Sequence, residues 1–288
     1  MENPVIDFHI HPIVYDRFYV ESVFNWIKKM HADKDWDHFY RNFSDPDFFC
    51  SYLQENGIDY GVVMAEMSPL VTGICSNEYV LNFCRKNQML IPFASINPSL
   101  TLNTGSELKS LVEQGFRGIK LYPTYQHCYP NDRRLYPLYS QAEILQIPVM
   151  VHTGTSIFKG AKLKYGDPLY LDEVAVDFPN LDLILVHSGR GFWYDRAFTL
   201  TRIHEHVYME VAGLPPRKLL DYFPELERVS SKVLFGTDWP GITDLAGNIR
   251  AVRNLPLSSE AVKNILGGNA ARLLNLPGSE DETKNNLN

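Results

Sequence analysis

Cysteine is scarce in this chain of 288 residues: Cys50, Cys75, Cys84 and Cys128 are the only four, and no two form a CxxC pair. At this length that excludes a disulfide-stapled scaffold and points to free thiols in a reducing, cytoplasmic setting. No uninterrupted apolar run approaches the length of a membrane span. The opening MENPVIDFHIHP lacks a basic stretch followed by a long apolar one, so no secretory signal is expected. Positive charge is in deficit, with 27 Lys and Arg against 34 Asp and Glu, a net charge of -7. That balance argues against broad binding to nucleic acid or an anionic membrane. It leaves room for a small anionic substrate, because one local arginine or a metal outweighs the global field. A glycine-rich turn after the first strand, the mark of an open doubly wound sheet, is also missing.

What is present is enough apolar and aromatic residue content to bury a large core: 45% hydrophobic residues, with 16 Tyr, 16 Phe and 4 Trp. Short runs rich in Val, Ile and Leu recur near 5–9, 60–64, 90–96, 116–121, 148–152, 181–187, 207–210 and 233–236. Most are almost continuously apolar, as strands covered on both faces should be. Helix-like stretches lie between them. Asp45-Pro46 and Asp167-Pro168 each place a capping carboxylate ahead of a proline at a first helical position. Residues 135–145, 194–205 and 259–266 carry the spacing of surface helices. Eight strands alternating with helices over about 275 residues match a closed (β/α)8 barrel. One domain is expected over residues 1–276, with 277–288 a polar, disordered tail. The segment 15–44 is too long for a strand-to-helix loop and reads as an insertion or lid over the barrel mouth.

The chemistry gathers at the carboxyl ends of those strands, where barrels assemble their sites. His9 and His11 end the first run and, two apart on a strand, face one side. His152 ends IPVMVH, His187 ends LDLILVH, and Asp238 follows KVLFG one residue past a threonine. Strand-end positions are roughly one in fifteen of such a barrel, so chance would put fewer than about one of the nine histidines there; four are. Neutral imidazoles and a carboxylate are ligands for a divalent cation. His204 and His206 also form an HxH pair, but they precede the seventh strand, on the stability-related face, and read as surface histidines. His31, His38 and His127 read as solvated loop or insertion positions, with substrate contact a secondary role.

The blocks DFHIHP, GIKLYP, VHTGT, VHSGRG, FGTDWP and ILGGNAARLL, in that order, resemble the signatures of the amidohydrolase superfamily. They are closest to its amidohydrolase-2 branch, which includes aminocarboxymuconate-semialdehyde decarboxylase, resorcylate decarboxylases and related hydrolases. The resemblance runs from Val5 to Leu274. It implies that His9, His11, His152 and Asp238 hold one divalent metal ion, and that Asp238 also takes a proton from the attacking water in hydrolytic members. His187 would bind a second metal or orient and deprotonate water and substrate; the mononuclear arrangement is favoured. Three imidazoles and a carboxylate suit Zn2+, with Mn2+, Fe2+ and Co2+ also fitting.

Other positions carry two readings each. Lys120, in GIKLYP, is a carboxylated bridging lysine in some superfamily members. Otherwise it is a plain lysine that binds an anionic substrate, pairs with a carboxylate such as Asp238, or packs. Arg190 stands at the height of an anionic group or is a solvent-facing loop arginine. Tyr122, Tyr125 and Trp239 wall a pocket for a flat substrate or simply pack at the rim. Asp7 is an outer partner of the metal ligands or a buried structural aspartate, and Glu66 a loop carboxylate or a site residue. The expected function is a metal-dependent hydrolase of a small carboxylate-, lactone- or amide-type substrate, with Asp238 and His187 catalytic. The alternatives are a non-oxidative decarboxylase of an aromatic or unsaturated acid and a non-catalytic metal-binding protein. A metal-dependent DNase barrel also starts with HxH, but its fourth strand typically carries glutamate where this chain has Lys120. The partner expected is a small molecule, with no nucleic acid and no membrane; a homo-oligomer is compatible with the sequence.

Overall fold

The strand-forming runs are apolar on both faces because each must pack inward on the barrel and outward on helices. In the computed structural model, which describes residues 4–276, eight of them form the barrel. They are β1 (Ile6–Ile10), β2 (Tyr60–Met64), β3 (Leu90–Ser95), β4 (Gly118–Leu121), β5 (Val149–His152), β6 (Leu183–Val186), β7 (Val207–Glu210) and β8 (Val233–Leu234). Each pairs in parallel with the next in chain order. The ring closes beyond the end of β8: Phe8 N donates to Phe235 O at 2.9 Å, Asp238 N to His9 O at 3.0 Å, and His11 N to Trp239 O at 2.8 Å. Those last two bonds pin the first-strand histidines beside Asp238. The fold is a (β/α)8 TIM barrel.

Register tells which side chains look inward. Lys120 pairs with Met150, His152 with Val186, and Glu210 with Val186 and Leu234. Met150, Ile184, Val186, Leu234, Phe8 and Phe93 fill the interior as a separate apolar cluster, so Lys120, His152 and Glu210 share that interior. The opposite faces of the same strands join the larger cluster packed under the helices. Simple alternation fails in β1. Its register slips by one residue between Asp7 and Ile10, a bulge that lets neighbours turn the same way. Phe8 meets Phe93 edge-on at 5.6 Å between ring centroids, while His9 next to it faces the His187 ring at 4.9 Å.

Residues 15–44 hold a two-residue strand, Phe18–Tyr19, and two helices, α1 (Glu21–Met30) and α2 (Trp36–Phe43). The strand joins a small antiparallel sheet with Gly73–Cys75 and Glu66–Ser68, outside the barrel. Val23 and Ile27 bury one face of α1, and Asp35 caps α2 by accepting from His38 N. The helix α3 (Pro46–Glu55) starts as its sequence implies, with Asp45 capping and Pro46 in its first turn. Asp167-Pro168 behaves differently. Asp167 accepts from Leu169 N in a preceding turn, and the helix begins only at Tyr170; the carboxylate is also drawn to Arg196. Ser259–Lys263 continues through a wider turn to Leu273 instead of ending at 266. The four cysteines are buried and unpaired. Among the described residues no helix is long and apolar enough to cross a membrane. The expected tail, 277–288, lies outside the described residues.

Candidate metal centre and active site

His9 and His11 are brought nearly into contact by the end of β1, with their Nε2 atoms 3.1 Å apart. Asp238 Oδ1 completes a triangle, 3.4 Å from His9 Nε2 and 3.7 Å from His11 Nε2. Ligand atoms about 2.0–2.2 Å from a tetrahedral cation lie roughly 3.3–3.6 Å from one another, so these separations fit one shared divalent ion. Asp238 reaches the centre because its backbone turns into the left-handed region, φ 68°. His187 does the same just past β6, at φ 62°. Its donor atom, His9 and Asp238 all lie within 4.8 Å of one another.

Each imidazole has its other nitrogen tied or faced from behind. His187 Nδ1 lies 2.8 Å from Ala212 O, an acceptor only, so Nδ1 carries the proton and Nε2 keeps its lone pair. His9 Nδ1 faces Glu210 Oε1 at 3.4 Å, and His11 Nδ1 faces Glu66 Oε2 at 4.0 Å. His152 hydrogen-bonds the Thr155 backbone, and its Nε2 is buried without a partner. Its ring stands 4.8 Å from that of His187. An orphaned buried nitrogen beside the His187 imidazole is what a cation would satisfy. Burial pushes all four imidazoles toward the neutral form: His9, His152 and His187 titrate well below the usual histidine range, and His11 is lowered to about 3. Neutral imidazole is the ligating species. The donor set therefore fits a divalent metal: His9, His187 and Asp238 offer atoms within 4.8 Å of one another, and His11 Nε2 lies 3.1 Å from His9 Nε2 and 3.7 Å from Asp238 Oδ1.

Around this centre lies a cavity of about 290 Å³. His11, His152, His187 and Asp238 lie along its wall, with Arg190, Glu66, Tyr122 and Tyr125. Arg190 Nη1 is 3.6 Å from Asp238 Oδ2, and its Nη2 donates to Thr155 O at 3.2 Å. Tyr122 donates to Ala65 O and Tyr125 exchanges a hydrogen bond with Ser156, so both rings are fixed. Glu66 accepts from Thr72 and, at 3.3 Å, from Tyr15; burial raises its pKa to about 7. The segment 15–44 contributes Tyr15, Val23, Trp26 and Ile27 to the wall.

Several sequence expectations shift. Trp239 does not wall the cavity: its ring packs outward against Phe43 and Phe49, because the chain reverses at Asp238. Lys120 is fully buried beneath the cavity and off its wall, with Nζ unpartnered. Burial lowers its pKa to about 8, opposed by the charges of Glu210, Asp238 and Glu66. It is thus a buried interior charge, with Nζ 5.1 Å from the ring centroid of Tyr122 on the cavity wall. Asp7 is interior, accepting from Thr237 N, Thr237 Oγ1 and His9 N, and so steadies the Asp238 turn. His31 is buried, not solvated, with Nε2 3.0 Å from Pro240 O. His38 is exposed, and His127 bonds Gly160 O away from the cavity. His204 and His206 pair separately with Asp172 and Asp182 at the other end of the barrel. The sequence reading passed over Glu210, although it ends β7 as His152 ends β5, the same signal in a carboxylate. Phe158 was not singled out either, because its place in the wall depends on a loop path; Tyr15 and Trp26, from the segment read as an insertion or lid, line the wall with it.

Comparison with known proteins follows the same outline. Residues 6–276 match the amidohydrolase family. No curated protein sequence matches the chain. Among solved structures, a TIM-barrel protein from Bordetella bronchiseptica is 23% identical, covering 94% of this chain and 98% of its own, with a TM-score of 0.75. A dihydroxybenzoic acid decarboxylase from Polaromonas, with bound manganese and 2-nitroresorcinol, is 19% identical over 95% of this chain and 97% of its own, TM-score 0.65. A probable 2-pyrone-4,6-dicarboxylic acid hydrolase from Acinetobacter baumannii, with citric acid bound, is 18% identical over 94% and 99%, TM-score 0.65. With the ordered strand-end residues and the match over nearly its whole length, the chain belongs to the amidohydrolase family and is an enzyme of that superfamily.

Proposed function

We propose that this chain is a metal-dependent hydrolase that cleaves a small lactone, ester or amide bearing a carboxylate. The observation that carries the reading is a pair of proton carriers at one centre, His187 and Asp238, with donor atoms within 4.8 Å. Hydrolysis moves two protons, one off the attacking water and one onto the leaving group, and adjacent groups suit that relay. His187 is in the tautomer that can receive a proton, because Nδ1–H is committed to Ala212 O. A divalent cation held by His9, His11, His152 and Asp238 would polarise the scissile carbonyl and make water a stronger acid; the donor set suits zinc. Arg190 would take the substrate's anionic group, a reading supported by its position on the cavity wall beside Asp238. Tyr122 and Tyr125 offer fixed aromatic faces to its body. Buried, unpaired thiols suit a cytoplasmic enzyme.

A second reading, non-oxidative decarboxylation, draws on the aromatic enclosure of Trp26, Tyr122, Tyr125 and Phe158, which suits a flat ring. There a single proton, from Asp238, replaces the departing carboxyl group on carbon. A panel of lactones and esters beside phenolic carboxylates, assayed in parallel for ring opening and carbon dioxide release, separates the two. Hydrolysis without carbon dioxide supports the first; carbon dioxide release alone transfers the case to the second. Metal-loaded protein that turns over neither set defeats both.

A further inference from the structure

Glu210 is fully buried at the end of β7, inside the barrel, and its carboxylate touches both halves of the proposed machinery. Oε2 accepts from His187 N at 3.1 Å, and Oε1 accepts from Ala212 N at 3.0 Å. Oε1 also faces His9 Nδ1 at 3.4 Å, a nitrogen with no hydrogen-bond partner of its own. A shift of about 0.5 Å would bring that pair to ordinary hydrogen-bond length. The neighbouring backbone joins in. Ser188 Oγ donates to Glu210 O at 2.8 Å, and Ala212 O receives His187 Nδ1. Gly236 leaves the necessary room: a Cβ there would collide with Glu210 Oε1 and lie 2.8 Å from His9 Cβ.

We propose that Glu210 is a positioning residue that orients His9 and His187 together, by accepting from His9 Nδ1–H and from the backbone N–H of His187. The inference rests on the metal-dependent reading above. Its logic is one of donors and acceptors. Three N–H groups converge on one carboxyl group, whose ionised form alone among side chains of that size accepts from all three. Burial raises its pKa to about 8, and the Lys120 charge and the N–H groups of His187 and Ala212 favour the ionised form. With Nδ1–H committed to Glu210, His9 directs the lone pair of Nε2 at the centre it shares with His11 and Asp238. The same carboxylate holds the strained turn at His187, whose φ is 62°, and fixes Ala212, whose carbonyl sets the His187 tautomer. Binding and proton transfer are thus registered to each other through one side chain that meets no substrate.

The test compares wild-type protein with Glu210→Gln, using Co2+ as the metal probe. Glutamine keeps the shape but replaces one acceptor oxygen with an NH2 donor, so at least one of the three N–H groups is left facing a donor. The expected result is a Co2+ dissociation constant raised about 10- to 100-fold. The visible Co2+ spectrum should change while the far-ultraviolet circular dichroism does not. Equal Co2+ affinity and an unaltered spectrum in Glu210→Gln would overturn the inference while leaving the metal reading intact. Wild-type protein that binds no Co2+ would remove both. Should the variant not fold, 15N-histidine spectra of the zinc-loaded wild type decide. His9 protonated at Nδ1 and not at Nε2 supports the assignment; any other state of His9 refutes it.

Discussion

His11 and His187 differ in what substitution should remove, because one stands inside the tight donor triangle and the other beside it. His11→Ala is expected to abolish binding of the divalent ion with the fold kept, since the ring is partly exposed to the cavity. Full metal content by elemental analysis in that variant would contradict the assignment. His187→Asn is expected to keep one ion and lose turnover; wild-type rates would take His187 out of the mechanism. A third residue test concerns space rather than chemistry. Gly213 sits at φ 68°, and a Cβ there would lie 2.5 Å from Arg190 Nη1 and 2.7 Å from Asp238 Oδ2. Gly213→Ala should therefore displace the Arg190–Asp238 pair and cut kcat/KM at least tenfold, while a metal titration shows weaker binding. A variant with unchanged kcat/KM would mean the pair tolerates displacement.

Among the elements, α1 reaches the cavity wall through Val23, Trp26 and Ile27. It lies over the cavity through Trp26, whose indole packs edge-on against Phe158 at 5.4 Å, and it is tied to the β8 loop where His31 meets Pro240 O. Burial lowers the His31 pKa below the ordinary 6.5. The sign follows directly: the unfolded chain binds the proton more readily, so this contribution to stability is present above about 6.5 and is lost as the pH falls below it. Acidification from pH 7 to pH 5 should thus loosen α1, seen as faster amide hydrogen exchange in residues 21–30 relative to the barrel strands. In His31→Gln the acceleration on acidification should shrink. Equal acceleration in both proteins would assign the pH response to other groups.

For the whole molecule, the interior is expected to depend on a cation for its stability as well as its chemistry. The imidazoles of His9, His152 and His187 and an unpaired Lys120 are buried together, with His11 and Asp238 partly exposed to the cavity beside them, and a ligand that binds only the folded state adds stability by mass action. At a free metal concentration 100 times the dissociation constant the gain is about 2.7 kcal/mol. Chelation should lower the melting temperature and abolish turnover, and one equivalent of divalent ion should restore both. A melting temperature unmoved by chelation in protein verified as metal-free would argue against a metal in this cluster.

Much of this architecture is written locally. A buried strand of a parallel barrel must be apolar on both faces, so β2, β3, β5, β6 and β7 show in the sequence as Val- and Leu-rich runs. Active sites of this fold gather at one end, so His9, His11, His152, His187 and Asp238 stand out by position. What no local pattern carries is the path of the chain after each strand. The bulge in β1 breaks the alternation that parity assumes, and the reversed backbone at Asp238 sends Trp239 outward into the Phe43–Phe49 cluster. The register of β4 against β5 sinks Lys120 below the cavity. Glu210 becomes a hub only because β7 lies between the loops bearing His187 and Gly236. Apolar periodicity and strand-end chemistry are properties of neighbours along the chain, whereas orientation at a shared centre depends on contacts between residues 200 positions apart, which exist only once the barrel has closed.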